Sequence, residues 1–187
     1  MSYVGFLTFL FPDVLIMRGE LEDFSLTNFK DRIAKHFYRA GLQDMQVAGG
    51  IDIALTVFRD GITAWQPHLH ATVWCPLGLA ETLKILRDHT KASKRVPNPV
   101  DLQPLTDNIA SVAGYTFKSH FDKRVLYLSP ETDEERVRTL PPPDWAQREL
   151  RLFLDSYPIK AREFRMNLRR GRNGMRTIER TTKRSYR

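Results

Sequence analysis

Two β-rich runs on either side of an Asp-Gly pair constrain this chain most: IDIALTVF at 51–58 and LHATVW at 69–74, joined across Asp60-Gly61. Asp-Gly is a strong signal for the tight turn of a hairpin, so the two runs are expected to pair antiparallel. Pro67 has no backbone N–H to give a ladder, which places it at the start of the second regular strand or at an edge. Just beyond it, PHLH carries His68 and His70. Side chains alternate faces along a strand, so the two histidines project from one face, about 6.5 to 7 Å apart along the chain.

Two imidazoles so placed can converge on one ion, or they can be two ordinary strand histidines. A metal site needs a third protein ligand, and a carboxylate suits an ion of the Mg²⁺ or Mn²⁺ type. Asp52 is the first candidate, because a turn of three or slightly more residues at 59–61 sets it opposite His68 or His70. A register slip of one residue would turn it away. Asp60, nearer the turn, is the second candidate. Cys75 is the sole cysteine, which excludes an internal disulfide, argues against a structural zinc site and reads as a buried apolar residue.

The remaining periodicities are mixed α and β. YVGFLTFLF at 3–11 reads as a buried strand ending at Pro12. Asp23 or Ser25 can cap a helix running to Gly41, with Phe29, Ile33 and Phe37 recurring every four residues. Leu79, Leu83 and Leu86 mark a second helix over 79–89, followed by the basic loop KASKR and a short strand at 100–105. Thr106 or Asp107 can cap a third helix to about Ser119. At 100° per residue, Asn108, Ser111, Tyr115 and Lys118 fall on its polar arc, so Tyr115 and Lys118 are neighbours at i and i+3. Either they serve chemistry together or they are a rim tyrosine and a solvated charge.

Charge is concentrated at the C-terminal end. From Pro158 to Arg187 there are eleven Lys or Arg against two Glu, a net +9, so residues 1–157 carry −2 of the chain's +7. Such a segment favours polyanions, nucleic acid above all. Arg165, Arg169, Arg170, Arg172 and Arg176 are expected to contact phosphates without reading bases. These signals divide the chain into a catalytic domain at 1–128, an acidic and proline-rich linker at 129–144 and a basic helical extension at 145–187. The extension reads as two helices broken at Pro158, with RRGRNGMR flexible. No apolar run approaches the roughly 18 residues that cross a bilayer, and no signal-peptide pattern follows Met1, so a cytoplasmic protein with no membrane partner is expected.

Taken together, the two motifs describe one chemistry. An ion on His68 and His70 can polarise a phosphodiester, the Tyr115 hydroxyl can attack phosphorus, and the Lys118 ammonium can stabilise developing charge or lower the phenol pKa. In this order the elements resemble the HUH endonucleases, the superfamily of rolling-circle replication initiators, relaxases and certain transposases. FLTF (6–9) looks like the first motif, PHLH (67–70) like the His-hydrophobic-His motif and YTFK (115–118) like the Tyr-x-x-Lys motif of single-tyrosine replication initiators. The resemblance covers residues 3–120 and implies an α+β, ferredoxin-like fold with an antiparallel sheet backed by helices. It implies nicking of a single-stranded or hairpin origin, leaving a 5′-phosphotyrosine and a 3′-hydroxyl for a polymerase. His68 and His70 would hold the metal, Tyr115 would be the nucleophile and Lys118 its neighbour. Many relatives have a Glu as remaining ligand, and no clear counterpart stands here.

Two absences narrow this expectation. There is no G-x-x-x-x-G-K-[ST], so unwinding would fall to a host helicase, and no second tyrosine follows closely on Tyr115, the next being Tyr127. Termination would then need another nucleophile, water or the second protomer of a homodimer. A small plasmid or phage initiator fits best. Two other readings stand beside it: a non-catalytic nucleic-acid-binding module stacking bases on aromatics such as Trp65 and Trp74, and a metal-dependent hydrolase that uses water.

Overall fold

The computed structural model of the chain describes residues 3–105, 121, 123–129, 132, 135–171 and 174–177. The strand β1 (Val4–Leu10) leads to the helix α1 (Leu26–Arg39), then to the hairpin of β2 (Gln46–Val57) and β3 (Thr63–Trp74). The helix α2 (Leu79–His89) and the strand β4 (Val100–Pro104) follow. A second hairpin, β5 (Lys123–Leu128) and β6 (Glu135–Leu140), precedes α3 (Asp144–Ser156), the short α4 (Ile159–Arg162) and the strands β7 (Glu163–Met166), β8 (Leu168–Gly171) and β9 (Gly174–Thr177). The helix expected at 107–119, with Tyr115 and Lys118, lies outside the described residues.

The hairpin predicted around Asp60-Gly61 is the centre of the sheet and is longer than the β-rich runs alone suggest. β2 and β3 pair from Gln46↔Trp74 to Val57↔Thr63, and Gly61 holds the turn with φ 83°. β1 lies on the other side of β3 and β4 beyond it, giving the order β4-β1-β3-β2-β5-β6. β7 also pairs with β2, along the half of that strand that β5 leaves open, so the open sheet has seven strands.

Pro67 is not at a strand start: it sits inside β3, paired with Ile53 of β2 on one side and locally at an edge on the other. The ladder explains why it is tolerated there. Trp65 exchanges both backbone hydrogen bonds with Ile16 on the β1 side, so residue 67, two further on, also directs its backbone toward that side. The β1 ladder has already ended at Leu10↔His68, and no rung is lost.

α1 shows how local sequence sets an element. The Ser25 hydroxyl accepts the Asn28 N–H at 3.3 Å, and Gly41 follows the helix in the left-handed region at φ 77°, as a helix-ending glycine does. Between these ends Leu26, Phe29, Ile33 and Phe37 are buried against Leu7, Phe9, Val47, Ile51 and Leu69 of the sheet. Each such apolar side chain stabilises the fold by roughly 1.5–3 kcal/mol when fully buried. α2 packs in the same cluster through Leu79 and Leu86, and α3 lays Ala146, Leu150 and Phe153 against Ile53, Leu55 and Trp65. Among the described residues α1, α2 and α3 therefore back one face of the sheet, and the other face carries Thr8, Asp52, His68 and His70.

Three expectations are corrected. The sheet is mixed instead of wholly antiparallel, because β5 runs parallel to the end of β2, Leu55↔Lys123 through Val57↔Val125. The sheet also continues past residue 128, since β6 lies within the stretch 129–144 expected to be a linker. Finally, the C-terminal extension is helical only through Arg162. Glu163–Met166 forms β7 because the first half of β2 offers an unpaired edge and Phe164 fills the core beneath it, 4% exposed; tertiary pairing overrides helical propensity. RRGRNGMR, expected to be flexible, contributes to the antiparallel pair β8 and β9, Leu168↔Thr177 to Gly171↔Gly174. Among the described residues no helix is long and apolar enough to cross a membrane.

Candidate metal centre

Strand register brings the centre together. Asp52 pairs with His68 across β2 and β3, and Gly50 pairs with His70, so the carboxylate and both imidazoles share one face. The ligand-capable atoms of Asp52, His68 and His70 all lie within 4.8 Å of one another, and the three residues are only 2%, 1% and 3% exposed. The two imidazole rings stand perpendicular, 4.5 Å between centroids. Sequence alone leaves Asp52 opposite either histidine; the structure sets it opposite His68. Asp60, the second candidate, is outside the cluster: it accepts from Arg95 Nε at 2.6 Å at the hairpin turn, and that hydrogen bond holds its carboxyl below the usual range.

Neighbouring groups fix the rings. His68 Nδ1 lies 3.0 Å from the Gln66 carbonyl, which can only accept, so this nitrogen carries the proton. In the neutral ring Nε2 is then the lone-pair atom, and it faces Asp52 Oδ2 at 3.6 Å. That separation is too long for a hydrogen bond between the two; with the ring neutral it brings together two electron-pair donors, which a cation shared by them would stabilise. Asp52 is held in turn, its Oδ1 accepting the Ile53 N–H at 2.8 Å. His70 Nδ1 is 3.0 Å from the Thr8 hydroxyl on β1, and Phe6 stacks on its ring at 5.6 Å. Imidazoles anchored through Nδ1 with Nε2 turned inward are what metal-ligating histidines show.

The donor set fits a divalent ion. Two nitrogens and one carboxylate oxygen are donors that a divalent metal ion could take. Three protein ligands leave further coordination positions for substrate oxygens or water.

Several residues at the centre are not evident in the sequence. Thr8 lies inside FLTF, but only the β1–β3 register, Thr8↔His70, reveals its role. Arg162 of α4 is buried to 5% exposure and electrostatically coupled to Asp52. Glu163 pairs with Gly50 and so stands on the same face as His70, with β2 between their strands, in an ion pair with Arg165 at 3.3 Å. No sequence signal marks the last two, because β7 reaches the centre only through long-range pairing.

Tyr115, Lys118 and Arg172 are outside the described residues. Arg165 and Arg169 are exposed on β7 and β8, and Arg170 and Arg176 belong to β8 and β9. Trp65 is a core residue, 1% exposed, donating to Glu149 Oε2 at 2.8 Å, and is no stacking platform; Trp74 is 41% exposed. Cys75 is fully buried, and burial pushes its thiol pKa up.

The class defined so far is an α+β protein with a mixed open sheet and a buried Asp-His-His group. No protein-family model, curated protein or solved structure matches the chain.

Proposed function

We propose that this chain is a metal-dependent DNA strand transferase of the HUH kind, nicking a single-stranded or hairpin origin to start rolling-circle replication of a plasmid or phage. The observation that carries the reading is the convergence of Asp52, His68 and His70 within 4.8 Å on one buried face. Under this reading the ferredoxin-like arrangement is the core formed by β1–β4 with α1 and α2, and β5–β7 elaborate its edge. A bound divalent ion, Mn²⁺ or Mg²⁺, would supply polarisation of the phosphodiester.

The chain's own residues do the rest. Asp52, His68 and His70 hold the centre, with Thr8 and the Gln66 carbonyl orienting the imidazoles. The Tyr115 hydroxyl attacks phosphorus, the bond from phosphorus to the 3′-oxygen breaks, and the phenol proton passes to the leaving 3′-oxygen, giving the 3′-hydroxyl. Lys118 steadies the phenolate. Arg165, Arg169, Arg170, Arg172 and Arg176 engage backbone phosphates, and a host helicase and polymerase act on the nicked product.

The test is incubation of the full chain with pooled single-stranded DNA and Mn²⁺, read by denaturing gel and mass spectrometry. Wild type is expected to yield a covalent adduct on Tyr115 that Tyr115→Phe lacks. Cleavage surviving Tyr115→Phe would identify a water-using hydrolase, and DNA binding without adduct or cleavage would identify a binding module.

A further inference from the structure

The end of α4 is coupled to the centre by an arginine that the Asp-His-His group does not require. The chain leaves α4 at Arg162 and enters β7 at Glu163, which pairs with Gly50; Gly50 in turn pairs with His70 and lies two residues before Asp52. Arg162 is 5% exposed, and its Nε is buried with no hydrogen-bond partner among the described residues. Burial lowers its pKa, and the negative charge of Asp52 opposes that effect. A guanidinium keeps its charge even so.

A buried cation is tolerated only if something compensates it. Asp52 and Arg162 together are formally neutral. A divalent ion on Asp52, His68 and His70 would leave the site dipositive, and an anion would restore balance. Arginine binds phosphate oxygens through its planar fork, shortening and strengthening charge-assisted hydrogen bonds in a water-poor site.

We propose that Arg162 is an anion-binding residue of the centre, holding a non-bridging oxygen of a phosphoryl group seated against Asp52, His68 and His70. The substrate class, a phosphodiester, rests on the nicking reading above; the phosphate site itself does not.

Calorimetric titration of inorganic phosphate into the full chain, with and without saturating Mn²⁺, tests this. Arg162→Gln is expected to bind phosphate about tenfold to a hundredfold more weakly than wild type, as removal of a charge-assisted hydrogen bond requires, with Mn²⁺ affinity retained or increased. Arg162→Lys, which keeps the charge but not the fork, is expected to fall between them and guards against a misfolded Gln variant. Unchanged phosphate affinity in both variants overturns the proposal, as does a wild type that binds no phosphate in either condition. Phosphate binding that depends on Arg162 in a protein forming no DNA adduct upholds the site and refutes nicking.

Discussion

Thr8 is the smallest group on which the centre depends. Its hydroxyl meets His70 Nδ1 at 3.0 Å across the β1–β3 ladder and holds the ring with Nε2 inward. Thr8→Val keeps the shape and removes the hydroxyl, so Mn²⁺ affinity measured by calorimetry is expected to fall about 10- to 100-fold with little change in melting temperature. His36 offers an independent residue-level test, away from the centre. Burial first, then the charges of His89, Arg32 and Arg39, hold its pKa below the ordinary 6.5, while Nε2 contacts the Thr90 hydroxyl at 2.8 Å. A histidine depressed in the folded state contributes stability above its unfolded pKa and loses it as pH falls through the folded one. Wild-type melting temperature is therefore expected to drop more steeply below pH 6.5 than that of His36→Gln, which keeps a polar partner for Thr90 and cannot titrate.

Elements that pair locally are legible in the sequence, and those recruited from a distance are not. Ser25, Gly41 and the Phe29-Ile33-Phe37 stripe delimit α1, and Asp60-Gly61 sets the hairpin whose register delivers Asp52 to His68. β7 reads as helix from sequence, because EFRM has no strand signature until Phe164 finds the core and Glu163 finds Gly50. Phe164→Ala is accordingly expected to cost about 3–5 kcal/mol in denaturant unfolding and to loosen the Arg162 approach to the centre. The hairpin has its own pressure point at Gly49, where an added Cβ would collide with the His70 carbonyl and with Ala71. Gly49→Ala must push β3 away from β2, and a destabilisation of about 1–3 kcal/mol with weakened Mn²⁺ binding is expected from the same unfolding and calorimetric measurements.

At the scale of the molecule, among the described residues, α1, α2 and α3 pack on one face of the sheet and the Asp-His-His group lies on the other, beside a basic segment that enters the sheet at β7. The charge imbalance is legible, since it needs only counting. The entry of that segment into the sheet is not, because it depends on the edge that β5 leaves open on β2. If the segment grips a DNA strand, replacing Arg165, Arg169, Arg170, Arg172 and Arg176 by Gln should flatten the dependence of single-strand affinity on salt. The slope of log K against log salt is expected to fall by about 0.7 for each phosphate no longer neutralised, in fluorescence titrations at several salt concentrations. The whole reading stands first on the three converging ligands. Its most direct test is titration of Mn²⁺ into the full chain, followed by electron paramagnetic resonance, for wild type and for Asp52→Ala, His68→Ala and His70→Ala. One saturable site in wild type, weakened about a hundredfold or more in each variant that remains folded, is the expected result. No saturable site in wild type, or a site indifferent to all three substitutions, would contradict it.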